Sequence, residues 1–228
     1  MNKIMALPIL YSLRNCPYAM RARLAIYASS QQVQLRDLVL SNKPAEMLEV
    51  SPKGTVPVLV TANGQVIEES LEVMLWAFEQ SDPDGYLEQA NPNVLDEKLG
   101  LIAIFDNEFK GHLEQYRAAK RYHEPTLAEH RQVCESYLVQ LEQRLCQQKY
   151  LMSDKPTIVD LALVPFIRQF ARVERQWYLQ SSYPKLRQWL NTYLQSRMFS
   201  KVMTKYPMWL DSKEVVVFGN DSQKRTHN

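Results

Sequence analysis

One cysteine stands where its thiol could react. In the run RNCPYAMRARL, residues 14 to 24, Cys16 is followed directly by Pro17 and then by apolar residues at helical spacing. A helix N-terminus offers unpaired backbone N–H groups and the positive end of the helix dipole, which favour the thiolate, the form that attacks disulfides. Arg14, Arg21 and Arg23 add positive charge to the same run. A free cysteine can also serve as a small packing residue, but a strand, a loop, Cys-Pro and a helix in that order favour the reactive reading. Three residues on, where a dithiol oxidoreductase would carry its second cysteine, stands Ala19. A mixed disulfide at Cys16 would then have to be resolved by a separate molecule, a small cytosolic thiol. Cys134 and Cys146, twelve residues apart in the other half, are expected to be packing residues.

The elements that must hold this thiol can be read around it. PILYSL is a short run rich in strand formers, and residues 17 to 30 read as a helix with Pro17 at its first position, where the missing N–H costs nothing. VQLRDLVL alternates at period two and TVPVLV is β-branched. Asn63-Gly64 marks a hairpin ahead of QVIEE, and SLEVMLWAFEQS is helical with Ser70 available as N-cap. The order is strand, helix, strand, an undefined connection, strand, hairpin, strand, helix. This is an α/β domain over residues 1–81. Residues 82–93, with two prolines, a glycine and three acidic residues in the surrounding SDPDGYLEQANPN, read as a linker. Residues 94–211 carry long helical patterns and form an all-α C-terminal helical domain. Residues 212–228 are a short apolar run followed by a polar tail expected to fray.

The chain's 228 residues are 46% hydrophobic, enough for a buried core, and 27 basic against 25 acidic residues leave a formal charge of +2. That balance carries no nucleic-acid footprint. No stretch is apolar enough to span a membrane, and MNKIMALPILYSL lacks a small-residue cleavage pattern, so neither a membrane anchor nor a signal peptide is expected. Three cysteines without framework or ligand spacing suit a reducing, cytoplasmic setting. The four histidines (His112, His123, His130, His227) have no motif spacing and are expected at the surface, so no metal site is assigned.

From roughly residue 7 to 207 the sequence resembles the glutathione transferase superfamily, and within it the cysteine-type members such as the omega class and the two-domain glutaredoxins. NCPYA resembles the omega-type active-site loop, with Cys16 in the catalytic place. NKP at 42–44 is similar to the segment whose lysine, here Lys43, reaches the glycine carboxylate of glutathione. GTVPVL resembles the loop with a cis-proline, which would make Val56 the backbone partner of the cysteinyl part and Pro57 the cis residue. EES at 68–70 is similar to the pair that holds the γ-glutamyl group, here Glu69 and Ser70. The resemblance implies a thioredoxin-like N-terminal domain, glutathione as co-substrate, and a small hydrophobic or disulfide second substrate. It allows a homodimer, although the two-domain glutaredoxin type is monomeric.

These residue types make chemical sense together. Glutathione has two carboxylates and an ammonium, so its site needs a cation, an anion and N–H groups that bind anions: Lys43, Glu69, and Ser70 with the start of its helix. Taken singly, Lys43 could be a solvated lysine and Glu69 a carboxylate favoured by the helix dipole. Tyrosine- and serine-type transferases steady the glutathione thiolate with a hydroxyl, for which Tyr11 and Ser12 lie nearby. A cysteine in that place would form a disulfide with glutathione instead, so the resemblance implies reduction of mixed disulfides or dehydroascorbate. Conjugation of small electrophiles, and binding without catalysis, are the alternatives.

In the helical half, TIVDLALVPF resembles the family's capped buried helix. Thr157 with Asp160 forms a capping-box pattern, and Pro165 predicts a kink. Leu95, Leu99, Ile102, Phe109, Leu113 and Tyr116 form an apolar stripe that Asp106 interrupts. Because the family lines its second-substrate pocket from this helix, Phe105, Asp106 and Phe109 are candidates for that pocket. RQFARVERQWY, residues 168–178, reads as a solvated helix face.

Overall fold

The computed structural model describes residues 6–87 and 92–219. Linker residues 88–91, the end of the tail and His227 lie outside these. The chain divides into two units, residues 1–84 with 197–228, and residues 85–196.

The first unit begins with β1 (Ile9–Ser12), α1 (Pro17–Ala28), β2 (Gln32–Asp37), α2 (Ala45–Val50), β3 (Val58–Val60), β4 (Val66–Ile67) and α3 (Ser70–Gln80). The undefined connection is therefore the short helix α2. Pro17 occupies the first turn of α1, where no intrahelical N–H is needed. The hairpin forms at Asn63-Gly64: Gly64 takes φ +87°, its N–H reaches the Thr61 carbonyl, and β3 meets β4 at Leu59 against Ile67. Ser70 is not the cap of α3. Glu69 holds that position with extended backbone, and Ser70 is the first helical residue.

Helix α1 is buried on most sides and carries two arginines inward, Arg21 and Arg23. Arg23 is fully buried. Its Nη2 meets Asp37 Oδ1 at 2.6 Å, its Nε donates to Ser12 Oγ at 2.7 Å, and its Nη1 donates to the Val202 carbonyl. Burial opposes both charges, lowering the Arg23 pKa and raising that of Asp37, while their direct contact counters the effect.

The second unit contains α4 (Pro92–Ile104), a π turn over Phe105–Phe109, α5 (Lys110–Tyr122), α6 (Leu127–Gln147), α7 (Ile158–Ala171), α8 (Arg175–Gln180) and α9 (Pro184–Leu194). The break that Asp106 makes in the apolar stripe is this π turn. Its extra residue leaves Phe105 and Phe109 buried together with ring centroids 4.9 Å apart. Asp160 of α7 is fully buried and accepts from the Thr157 N–H and hydroxyl, the Leu151 N–H and the Trp189 indole. The helix runs on through Pro165. Of the two packing cysteines expected in α6, Cys134 is buried, but Cys146 is exposed on the last turn.

The chain then returns to the first unit through α10 (Arg197–Val202), α11 (Trp209–Ser212) and β5 (Val216–Gly219). Residues 197–211 thus fold with the first unit rather than with the helical domain expected over 94–211, and the apolar run that opens the 212–228 tail is a strand, while the polar residues after Gly219 lie outside the described residues. Val216–Gly219 pairs antiparallel with β2, completing a mixed five-stranded sheet in the order β4-β3-β1-β2-β5, with β1 and β2 parallel. Gly219 is needed there, since a Cβ would stand 1.9 Å from the Gln31 carbonyl oxygen. Sequence signals this far apart cannot announce that pairing.

Removing one partner of a buried ion pair leaves the other charge uncompensated, at a cost of about 3–5 kcal/mol. Asp37→Ala is therefore expected to lower unfolding stability by about that amount, measured by urea titration.

Candidate active site

Cys16 is the N-cap residue of α1. Its backbone is extended, its N–H donates to the Leu13 carbonyl, and its own carbonyl accepts the first helical bond from Met20. The side chain is half-buried against the cluster of Tyr11, Ala19, Met47, Val56 and Val58. Sγ lies 3.9 Å from the Val56 carbonyl oxygen, forty residues away in sequence. The peptide joining Val56 to Pro57 is cis.

The loop carrying Val56 is bordered by the other expected residues. Gly54, at φ +62°, passes beneath Lys43: a Cβ on Gly54 would stand 3.0 Å from Lys43 Nζ and 3.4 Å from its Cδ. On the other side, Lys53 forms an ion pair with Glu69, and Ser51 donates to Glu68 at 2.6 Å. Cys16 with Val56, Lys43 with Gly54, and Glu69 with Lys53 are thus three contacts on one loop, residues 53–56. Glu69 is well exposed, so its pairing with Lys53 is open to exchange with a ligand ammonium.

Ser70 is almost fully buried at the start of α3, and its Oγ accepts from Arg21 Nε at 2.9 Å. Arg21 and Lys53 are the site neighbours that residue spacing did not single out. Arg21 was counted only as positive charge near Cys16, and nothing local announces that it spans to residue 70. The first turn of α3 leaves backbone N–H groups without intrahelical acceptors, as any helix start does, next to the Glu69 carboxylate.

Both hydroxyls that could have replaced the thiol are engaged inside the fold. Ser12 is fully buried and accepts from Arg23. Tyr11 is 2% exposed and its hydroxyl accepts from Arg36 Nη1 at 2.7 Å. Burial also raises the Tyr11 pKa, against the opposing influence of Arg36.

The proposed pocket residues of the helical unit lie elsewhere in character. Phe105 and Phe109 are 2% and 0% exposed and pack with Tyr137, and Phe109 also meets Phe170. In this structure they are core rings rather than pocket walls, while Asp106 is half-buried. The basic run 168–178 is only partly solvated: Phe170 and Tyr178 are buried, and Glu174 accepts from Tyr116 and Arg131. A cavity of about 970 Å³ in the first unit is lined by Thr61, Gln65, Glu72 and Trp76 among others, and by none of the residues around Cys16. Among the described residues no cluster of three or more His, Cys, Asp or Glu could hold a metal ion, and no helix is long and apolar enough to cross a membrane.

Gly54→Ala is expected to cost about 1–2 kcal/mol from the left-handed backbone and to displace the Lys43 side chain, the loss of stability being read by urea titration. Gly64→Ala is its control. That glycine also has positive φ but open space around it, so its stability should fall by the backbone cost alone and by less than that of Gly54→Ala.

Residues 10–85 match the family model for the glutathione S-transferase N-terminal domain, and residues 114–192 match that for its C-terminal domain. Among curated proteins, the chain is 26% identical over 186 residues to mouse (Mus musculus) glutathione S-transferase omega-1, covering 79% of this chain and 73% of the relative. It is 39% identical over 80 residues to a probable glutathione transferase of Aplysia californica, covering 35% of this chain and 75% of the relative. Among solved structures, a glutathione S-transferase-I bound with lactoylglutathione aligns at a TM-score of 0.73 and 20% identity over 87% of this chain and 99% of that one. A Phanerochaete chrysosporium glutathione transferase in complex with oxidised glutathione aligns at 0.74 and 18% over 86% and 94%. With both domain models matched in order, and a sheet-and-helix unit followed by a helical one, the chain belongs to the glutathione S-transferase superfamily.

Proposed function

We propose that the protein is an omega-like, glutathione-dependent thiol transferase with Cys16 as its nucleophile. The observation that carries this reading is the position of the Cys16 thiol, at the start of α1 and 3.9 Å from the Val56 carbonyl, while the Tyr11 and Ser12 hydroxyls are both committed to arginines. A hydroxyl-based site would need one of them turned toward glutathione.

In this reading glutathione lies along the loop of residues 53–56. Lys43 receives its glycine carboxylate and Glu69 its ammonium, displacing Lys53. Ser70 and the first N–H groups of α3 take the γ-glutamyl carboxylate, and the Val56 backbone ahead of Pro57 pairs with the cysteinyl part. The Cys16 thiolate attacks the glutathionyl sulfur of a mixed disulfide. A Cys16–glutathione disulfide forms, the substrate's sulfur–sulfur bond breaks, and the released substrate thiolate takes a proton from solvent. A second glutathione thiolate then attacks the glutathionyl sulfur on Cys16, which frees Cys16 and leaves oxidised glutathione. Cys16 serves in both steps from the N-cap position of α1, the end of a helix at which an anion is favoured. All three cysteines are free in the structure, which supports a reducing cytoplasmic setting.

Cys16→Ser separates this mechanism from conjugation. Reduction of a small glutathionylated disulfide by reduced glutathione should fall to the uncatalysed rate in the variant, and transfer of glutathione to an aryl halide should be slow in the wild type as well as in the variant. Retention of disulfide reduction by the variant would overturn the proposal. A dominant conjugating activity that survives the substitution would make the protein a transferase for electrophiles.

A further inference from the structure

The start of α3 is acidic at the place where the glutathione reading brings a carboxylate. Glu68 and Glu69 precede Ser70, and Glu72 lies in the first helical turn. Lys53, on the loop that carries Val56, forms an ion pair with Glu69, and both side chains are exposed. The Lys53 pKa is raised, first by its bond to Glu69 and then by the charges of Glu69, Glu68 and Glu72. Glu68 also accepts from the Ser51 hydroxyl at 2.6 Å. Arg21, 3% exposed, donates to Ser70 Oγ from inside the core. Lys53 is thus an exposed cation set among three carboxylates, and it is in direct contact with the one that the ligand ammonium would use.

We propose that Lys53 is a specificity-determining residue of the glutathione site: its ammonium pairs with the α-carboxylate of the γ-glutamyl group while Glu69 holds that group's ammonium. The proposal rests on the glutathione reading of Glu69 and Ser70. In an α-amino acid the ammonium and the carboxylate share one carbon. A ligand ammonium on Glu69 therefore brings its carboxylate against the cation it displaces, and Lys53 finds its new partner without leaving the turn. Removing Lys53 would leave that carboxylate facing the like charges of Glu68, Glu69 and Glu72, offset by the Ser70 hydroxyl, the helix N–H groups and the buried Arg21 behind them. With Lys43, two cations and one anion then face the two carboxylates and one ammonium of glutathione. The site selects thiols and disulfides whose γ-glutamyl end is a free zwitterion, against those in which it is capped or decarboxylated.

The probe is the 4-aminobutanoyl analogue of glutathione, which keeps the ammonium and has hydrogen in place of the α-carboxylate. The ratio of its dissociation constant to that of reduced glutathione, both measured by calorimetry at low salt, cancels whatever Lys53 does in the empty site. Lys53→Met removes the charge and keeps an unbranched side chain at an exposed position, and in this variant the ratio should fall about two- to fivefold. A Lys53 that only competes for Glu69, or only supports the loop, would change both constants alike. An unchanged ratio in Lys53→Met, or a wild type that binds both ligands equally, overturns the proposal. A wild-type protein that binds neither ligand overturns the reading of Glu69 and Ser70 itself, and this inference with it.

Discussion

The first unit is organised around one buried guanidinium. Arg23 leaves α1 and uses three nitrogens on three different parts of the chain: Ser12 at the end of β1, Asp37 at the end of β2, and the Val202 carbonyl in α10. A charge taken out of water is tolerated only when geometry and hydrogen bonds compensate it. Each partner must therefore be in place, which sets α1 against the two parallel central strands. Arg21, about 200° around the same helix, reaches the opposite way to Ser70 at the start of α3. Two arginines on one helix thus fix both the strand ends beneath Cys16 and the helix start that closes the other side of its loop.

The thiol's surroundings follow from that placement. Ser12 and Tyr11 are buried where they accept from Arg23 and Arg36, whereas the Cys16 sulfur in front of α1 is only half-buried. The hydroxyls stabilise the scaffold and the cysteine faces the Val56 backbone. The same committed hydroxyls link structure to reaction type. Thiol exchange needs a thiolate and a second thiol, whereas conjugation needs a donor aimed at the glutathione sulfur.

Local signals read well from the sequence. Cys-Pro before a helical run, Asn-Gly between β-branched runs, and Thr157 with Asp160 each encode their structure within a few residues, and each formed. Long-range pairings were not legible. VVVFG read only as a short apolar run ahead of a polar tail, and the edge of β2, some 180 residues earlier, is what makes Val216–Gly219 a strand. The buried roles of Arg21 and Arg23 were hidden for the same reason, since an arginine in a sequence looks like surface charge until its acceptors arrive from elsewhere. Phe105 and Phe109 became pocket candidates through the family resemblance, whereas the apolar stripe already held Phe109, and both rings are buried where the helix makes its π turn.

The most direct test of the central claim is the site and rate of adduct formation with oxidised glutathione, followed by intact-mass spectrometry and peptide mapping. Two other thiols serve as internal standards: burial pushes the Cys134 thiol up to about 12, and Cys146 is exposed on α6. The account requires a single glutathione adduct to form first on Cys16, ahead of the exposed Cys146 and with none on Cys134, and reduced glutathione to remove it. An adduct that forms first or only on Cys146, or none at all, would leave Cys16 a packing residue and contradict the account.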